Sequence, residues 1–273
     1  MSLLSFSGCG RLFYYPDSVL YYPPEGAGYR HEDIRFAAAD GTKLHGWRLK
    51  ADKSALGGKA PKGTIIQFHG NAQNISSHYL SLAWLTRHGY DVFAFDYRGY
   101  GLSEGEPDAR GTYLDGMAAL DQAWELHEKS KAIKFVVFGQ SLGGLVAMRS
   151  FADFRHQDRT TLVVMDSAFV SYKDMVQEKM AGIWLTWIFS PLGRLLVSDQ
   201  YASEPYVPKL RARLLVIHDK HDPVVGFKNG RKLFELATGP KEFWELDEAR
   251  HSGAFSDDSA SLRDRFARFL ESL

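Results

Sequence analysis

Cysteine is nearly missing from this chain: Cys9 is the only one among 273 residues. A lone thiol excludes an intramolecular disulfide framework and any zinc site built from cysteines. Charge of one sign is missing too. Lys and Arg total 33 and Asp and Glu total 33, so the balance gives no argument for a nucleic-acid partner or for electrostatic attachment to anionic lipid. Internal repeats and low-complexity tracts are absent. The strongly apolar stretch Ile183-Trp184-Leu185-Thr186-Trp187-Ile188-Phe189 falls far short of the roughly 20 residues a membrane-spanning helix requires. What is there is the composition of an ordinary soluble enzyme domain, 45% hydrophobic and 24% charged. At this length the chain can bury a large core as one α/β domain.

Strand-like and helix-like segments alternate, which favours a mostly parallel sheet covered on both faces by helices. Residues 1–28, with Tyr14-Tyr15-Pro16 and Tyr21-Tyr22-Pro23-Pro24, read as an extended N-terminal arm whose tyrosines pack against the domain. Ile34–Ala38 and Lys43–Leu49 around Asp40-Gly41 read as an opening hairpin. Helices are expected at about 75–88, closed by Gly89, and at about 112–129. In the second, Tyr113, Met117, Leu120, Trp124 and His127 share one face and are expected in the core. A last helix carries Leu262, Phe266, Phe269, Leu270 and Leu273 and should pack beside the sheet.

The strongest chemical signal is Gly139-Gln140-Ser141-Leu142-Gly143, between the strand-like Phe135-Val136-Val137-Phe138 and the helix-like Gly144-Leu145-Val146-Ala147-Met148. A G-x-S-x-G between strand and helix is the nucleophile elbow, which holds a serine oxygen out from the sheet edge. A serine hydroxyl is a poor nucleophile at neutral pH and needs a base and an acid to orient that base. Asp222 follows the strand-like Leu214-Leu215-Val216-Ile217-His218, and His251 follows Phe243-Trp244-Glu245-Leu246. Serine, then aspartate, then histidine is a chain order that such elbows use. Asp166, after Val163-Val164-Met165, is a rival for the acid. An oxyanion hole is also required. Its expected donors are the N–H of Leu142 and that of Asn71, with Ala72 the alternative, in the loop after Thr64–Phe68.

His69-Gly70-Asn71-Ala72, the run Asp96-Tyr97-Arg98-Gly99-Tyr100-Gly101-Leu102-Ser103-Glu104-Gly105, the elbow and Asp222-Pro223-Val224-Val225 together resemble the α/β-hydrolase superfamily over residues 30–270. Within it, the chain is similar to the branch of membrane-associated protein depalmitoylases and bacterial serine-aminopeptidase-like hydrolases. The resemblance implies an α/β-hydrolase fold and a Ser-Asp-His hydrolase of acyl esters, thioesters or amides. Two positions depart from the pattern: Asp219 replaces the glycine expected after the strand histidine, and no glycine precedes His251. The expected activity is ester or thioester cleavage through an acyl-enzyme, with no cofactor. Amide or peptide cleavage by the same residues, or a silent binding scaffold, are the alternatives. The expected partner is a small-molecule or lipid-derived acyl substrate.

Residues 168–209 form an insertion that the core fold does not require, read as a small helical cap. Trp184, Trp187 and Phe189 are its candidate substrate-pocket side chains, because lids exclude water and acyl pockets are apolar. Plain packing on the core, or contact with a membrane interface through the tryptophans, are the other readings. Phe6-Ser7-Gly8-Cys9 resembles the end of a bacterial lipoprotein signal, but no Lys or Arg and only eight residues precede Cys9. Lipid anchoring or an inert free thiol both remain open for it, and with them a membrane or cytoplasmic location. His218, Asp219, His221 and Asp222 could suggest a metal, yet no third clustered ligand supports one. Arg98 and Tyr100 read as structural turn residues.

Overall fold

Eight strands make one sheet, and the side chains of its central strands are apolar on both faces. The strands are β1 (His31–Ala37), β2 (Lys43–Leu49), β3 (Gly63–Phe68), β4 (Tyr90–Asp96), β5 (Lys134–Gln140), β6 (Leu162–Asp166), β7 (Arg213–Asp219) and β8 (Lys241–Leu246). The computed structural model describes residues 13–183, 186–256 and 258–273, with only the backbone at Lys53 and Trp187. Cys9 therefore lies outside the described residues.

The spatial order is β8-β7-β6-β5-β3-β4-β2-β1. β2 runs antiparallel to β1 and β4, and every other pair is parallel. The mostly parallel sheet expected from the alternating pattern is present. Along β5, Phe135 and Val137 enter one core cluster while Val136 and Phe138 enter the other, the period of two that a strand buried on both sides requires. The helices of ten or more residues are α1 (Ala109–Ser130), α2 (Leu142–Phe151), α3 (Tyr172–Ala181), α4 (Phe227–Leu236) and α5 (Ala260–Ser272). Helices α1 and α2 cover the first face. Leu262, Phe266 and Leu270 of α5 cover the second. Among the described residues no helix is long and apolar enough to cross a membrane.

Three local expectations need correction. The helix anticipated at 75–88 is broken into Ile75–His78, Leu80–Ala83 and a 3-10 turn Trp84–His88, though Gly89 does close it at φ 91°. The His78 carbonyl accepts from Gln67 Nε2 and Ser81 Oγ, both at 2.9 Å, rather than continuing a regular ladder. Helix α1 begins three residues early because Asp108 caps it, accepting from the Gly111 N–H at 2.5 Å. Its buried face includes small residues, Gly111, Gly116, Ala119 and Ala123, beside Leu120, Trp124 and His127, whereas Tyr113 and Met117 are only partly buried. Close approach of α1 to α2 explains this, since a Cβ on Gly116 would lie 2.3 Å from Ser150 Oγ, with Phe68 of the sheet next at 3.0 Å.

The arm adds a short parallel pair, Tyr15–Pro16 on Ala72–Gln73. Tyr14 is buried, and its hydroxyl lies 3.1 Å from Thr112 Oγ1 and 3.0 Å from Tyr172 Oη. Tyr15 and Tyr22 are exposed, so only part of the expected tyrosine packing occurs. Between β6 and β7 the chain passes through α3, a 3-10 stretch Trp187–Leu195 and a 3-10 turn Val207–Lys209.

The sheet order reverses between β3 and β5, because the chain steps from β3 outward to β4 and then returns to the other side. Such a reversal opens a crevice at the carboxyl ends of the strands. The turn after β5 fits there only without side chains, at Gly143 and Gly139 among others. A Cβ on Gly143 would lie 2.3 Å from the carbonyl oxygens of Phe68 and His69, and one on Gly139 would lie 2.6 Å from Gly144 Cα. Neither glycine has a positive φ; that conformation falls on Ser141 at φ 53°. The glycines thus serve close approach rather than left-handed backbone. Gly143→Ala is expected to lower stability by about 1–3 kcal/mol through overpacking, read as a lower urea midpoint with an unchanged slope. An unchanged midpoint would show that the contact relaxes freely.

Candidate active site

Asn71, Ser141, Leu142, Asp222 and His251 each lie just past the carboxyl end of a parallel strand, and the rival Asp166 is the last residue of β6. Ser141 follows β5 and sits immediately before α2, with φ 53° and ψ −121°. Its N–H donates to the Asp166 carbonyl at 2.9 Å, which pins the turn to the end of β6. Five of the six described non-glycine residues with positive φ belong to the loops of the site, Gln73, Ser141, Ser167, Ala249 and Ser252, and the sixth, Lys131, closes α1. Each such residue costs on the order of 1–3 kcal/mol and persists only where its surroundings hold it.

Ser141 Oγ lies 2.9 Å from His251 Nε2. His251 Nδ1 in turn lies 2.8 Å from Asp222 Oδ2 and 3.1 Å from Oδ1. Asp222 has a fully buried side chain, and burial on its own would raise its pKa. The hydrogen bond and charge of His251, with the N–H groups of Val225 and Val224 at 2.8 Å, outweigh this and hold it below the usual carboxylate value. An ionised Asp222 fixes the proton on Nδ1, so Nε2 is left to accept the serine proton. His251 therefore meets Asp222 and not the rival Asp166.

Asp219, the departure from the family pattern, has a structural explanation. Its Oδ1 accepts from the His221 N–H at 2.8 Å and its Oδ2 from the Glu248 N–H at 2.7 Å. It ties the loop carrying Asp222 to the loop carrying His251. Ser167 Oγ adds a second tie, accepting from the Ser252 N–H at 3.0 Å. The role of Asp219 was missed in the sequence; its only signal was an acid in place of a glycine. His218 Nε2 lies 2.8 Å from the Val225 carbonyl and His221 Nε2 lies 3.2 Å from Asp247, so these histidines face different partners and share no site.

Leu142 opens α2, where a first-turn N–H has no carbonyl four residues back to reach. The Asn71 carbonyl is held from two sides, by the Tyr15 N–H at 2.8 Å and by Tyr100 Oη at 2.7 Å. Tyr100 is structural, as expected, but what it secures is the loop facing Ser141. His78 is a further residue the sequence did not point to, since nothing in its helical context distinguishes it. Its ring stacks on His69 at 5.2 Å and its Nε2 lies 2.9 Å from the Ala72 carbonyl. Burial, with the neighbouring His69 ring, pushes its pKa down to about 4, so it is uncharged at neutral pH.

These groups surround a cleft of about 330 Å³ lined by Gly70, Asn71, Ala72, Gln73, Ser77, His78, Ser81, Gln140, Ser141, His251 and Ser252. Of the expected cap aromatics, the described one, Phe189, does not enter it: it is 56% exposed and is not among the lining residues. Trp184 and the Trp187 side chain lie outside the described residues. A separate cavity of about 340 Å³ runs beneath the insertion, lined by Phe13, Tyr172, Leu195, Leu196 and Val197 among others, and touches none of Ser141, Asp222 and His251. The apolar cap stretch instead turns Ile183, Ile188, Leu192 and Leu195 outward.

A mostly parallel sheet with helices on both faces and a serine at the strand-to-helix elbow defines an α/β-hydrolase. Residues 59–207 match the family model described as Hydrolase_4, serine aminopeptidase S33, and the chain belongs to that family of hydrolases. The protein YfhR of Escherichia coli K12, itself called uncharacterized, is 31% identical across 94% of this chain and 86% of its own length. The α/β-hydrolase domain-containing protein WAV2 of Arabidopsis thaliana is 33% identical over 58% of this chain and 47% of its own. Among solved structures, the Pyrococcus furiosus esterase Pf2001 superposes with a TM-score of 0.73 at 22% identity, covering 95% of this chain and 97% of that one.

Asp166 carries a testable electrostatic consequence. It is buried, its Oδ2 has no hydrogen-bond partner, and burial raises its pKa from 3.8 to about 6 despite the nearby His251. A raised carboxyl favours the protonated fold, so its contribution is complete below pH 3.8 and is lost as pH rises through about 6. Asp166→Asn removes that loss. The variant should gain on the native chain by up to about 3 kcal/mol between pH 4 and pH 7, measured as paired urea midpoints. Parallel pH profiles would contradict it.

Proposed function

We propose that the chain is a serine hydrolase that cleaves a carboxylic ester or thioester through an acyl-enzyme. The observation that carries this reading is the continuous line from Ser141 Oγ through His251 to Asp222, at 2.9 and 2.8 Å. In the proposed cycle His251 Nε2 takes the Ser141 proton as Oγ attacks the substrate carbonyl, and then delivers that proton to the leaving alcohol or thiol. Asp222 holds the imidazole in the required tautomer and stabilises its charged form. The N–H of Leu142, reinforced by the start of α2, and the N–H of Asn71 receive the developing oxyanion. Water, deprotonated by His251, then attacks the acyl-enzyme; the acid departs and Ser141 regains its proton. The strained backbone of Ser141 supports the reading, since strain of this kind gathers at catalytic positions. The 850 Å³ depression lined by residues of α1 such as Tyr113, Met117 and Glu125 lies apart from Ser141 and has no part in it.

Amide cleavage by the same groups is the second reading, favoured by the family description, which names an aminopeptidase. Ser141→Ala is expected to lower kcat on p-nitrophenyl butyrate about 10⁶-fold, and Asp222→Asn about 10⁴-fold, with little change in KM. Near-normal turnover in Ser141→Ala would overturn the reading. Near-normal turnover in Asp222→Asn would remove only the acid assignment.

A further inference from the structure

The cleft beside Ser141 differs from the apolar acyl pocket that the cap sequence suggested. Its volume of about 330 Å³ is at the lower end for ligand pockets. Among the described residues its lining includes no Val, Leu, Ile, Met, Phe or Trp. Alkyl groups placed there would strip water from hydroxyl, amide and imidazole groups without offering them a hydrogen bond. Nor does the described lining include Lys, Arg, Asp or Glu, so neither a carboxylate nor an ammonium on a substrate finds a counter-charge.

The hydrogens of three lining groups are already committed inside the protein. Ser77 Oγ donates to the Asn74 carbonyl at 3.0 Å, and Ser81 Oγ to the His78 carbonyl at 2.9 Å. His78 Nε2 donates to the Ala72 carbonyl at 2.9 Å, which makes its Nδ1 an acceptor. His78 also stays neutral at physiological pH, because burial and the His69 ring depress its pKa. What Ser77 and His78 have left to offer a ligand is lone pairs. A ligand group that matches these two must donate.

We infer that the substrate group held beside Ser141 is short, uncharged and hydroxyl-bearing, so that the enzyme acts on small polar esters and not on long acyl chains or peptides with a free amino terminus. This rests on the ester-hydrolase reading above and narrows it. An apolar tunnel would gain about fourfold in kcat/KM for each added methylene, whereas this cleft gains nothing beyond a short chain.

The test is kcat/KM for p-nitrophenyl acetate, butyrate and octanoate, and for two isosteric pairs in which a hydroxyl replaces a methyl. One pair varies the acyl side, p-nitrophenyl 3-hydroxybutyrate against 3-methylbutyrate. The other varies the alkoxy side, 2-hydroxyethyl butyrate against propyl butyrate, followed by acid release. Ser141→Ala is the blank throughout. The expected result is octanoate no better than butyrate and a hydroxyl preference of at least about tenfold in one pair, reduced by Ser77→Ala. L-alanine p-nitroanilide should be no better a substrate than its N-acetyl derivative. Rates that climb from acetate to octanoate, preference for the methyl member in both pairs, or preference for the free amine would overturn the inference and leave the hydrolase reading standing. Loss of all Ser141-dependent turnover, on esters and anilides alike, would instead overturn the hydrolase reading and this inference with it.

Discussion

The close approach of the β5–α2 turn to the end of β3 is the constraint on which the rest depends. Gly143 lies so near the carbonyls of Phe68 and His69 that no side chain fits, and Gly139 leaves almost as little room against Gly144. That contact sets where α2 starts, and the start of α2 sets the position of Ser141 and of the Leu142 N–H. It also brings the loop after β3, with Asn71, onto the same cleft as the serine. Strain at Ser141 is the cost of this arrangement, and the hydrogen bond from its N–H to the Asp166 carbonyl is part of what sustains it.

Around that point the loops after β6, β7 and β8 are tied to each other rather than left to converge independently. Asp219 bonds the backbone of both the acid loop and the histidine loop, and Ser167 holds the residue after His251. Asp222 is buried but ionised because three donors face it. A buried charge with its partners in place is affordable; one stripped of them costs several kcal/mol. Electrostatics and loop geometry are therefore one problem here, and moving either loop would disturb both. The arm contributes from outside the sheet through Tyr15, whose N–H meets Tyr100 Oη, from the loop after β4, on the Asn71 carbonyl.

Much of this was legible in the residues because the physics leaves few alternatives. A serine at a tight strand-to-helix turn needs small neighbours, so Gly139 and Gly143 mark it. Strands buried on both faces need unbroken apolar runs, so β5 and β7 could be found, and Asp222 and His251 followed from chain order. Other features were hidden. Ile183–Phe189 is apolar, but composition does not say whether such a stretch faces inward, and Phe189 turned out to be exposed. Asp108 as a helix cap, Asp219 as a tie between loops and His78 as a cleft residue all depend on partners distant in sequence or on a specific rotamer. None of these leaves a periodic trace. The small residues on the inner face of α1 were missed for a related reason, since close packing selects for size and not for hydrophobicity.

The central claim is that His251 activates Ser141 Oγ as a nucleophile. It is tested most directly by treating the native chain with a fluorophosphonate at neutral pH and mapping the adduct by peptide mass spectrometry. The account predicts a single stoichiometric adduct on the peptide containing Ser141, formed at least about a hundredfold more slowly in His251→Ala. An unlabelled Ser141, or labelling at the same rate without His251, would contradict it.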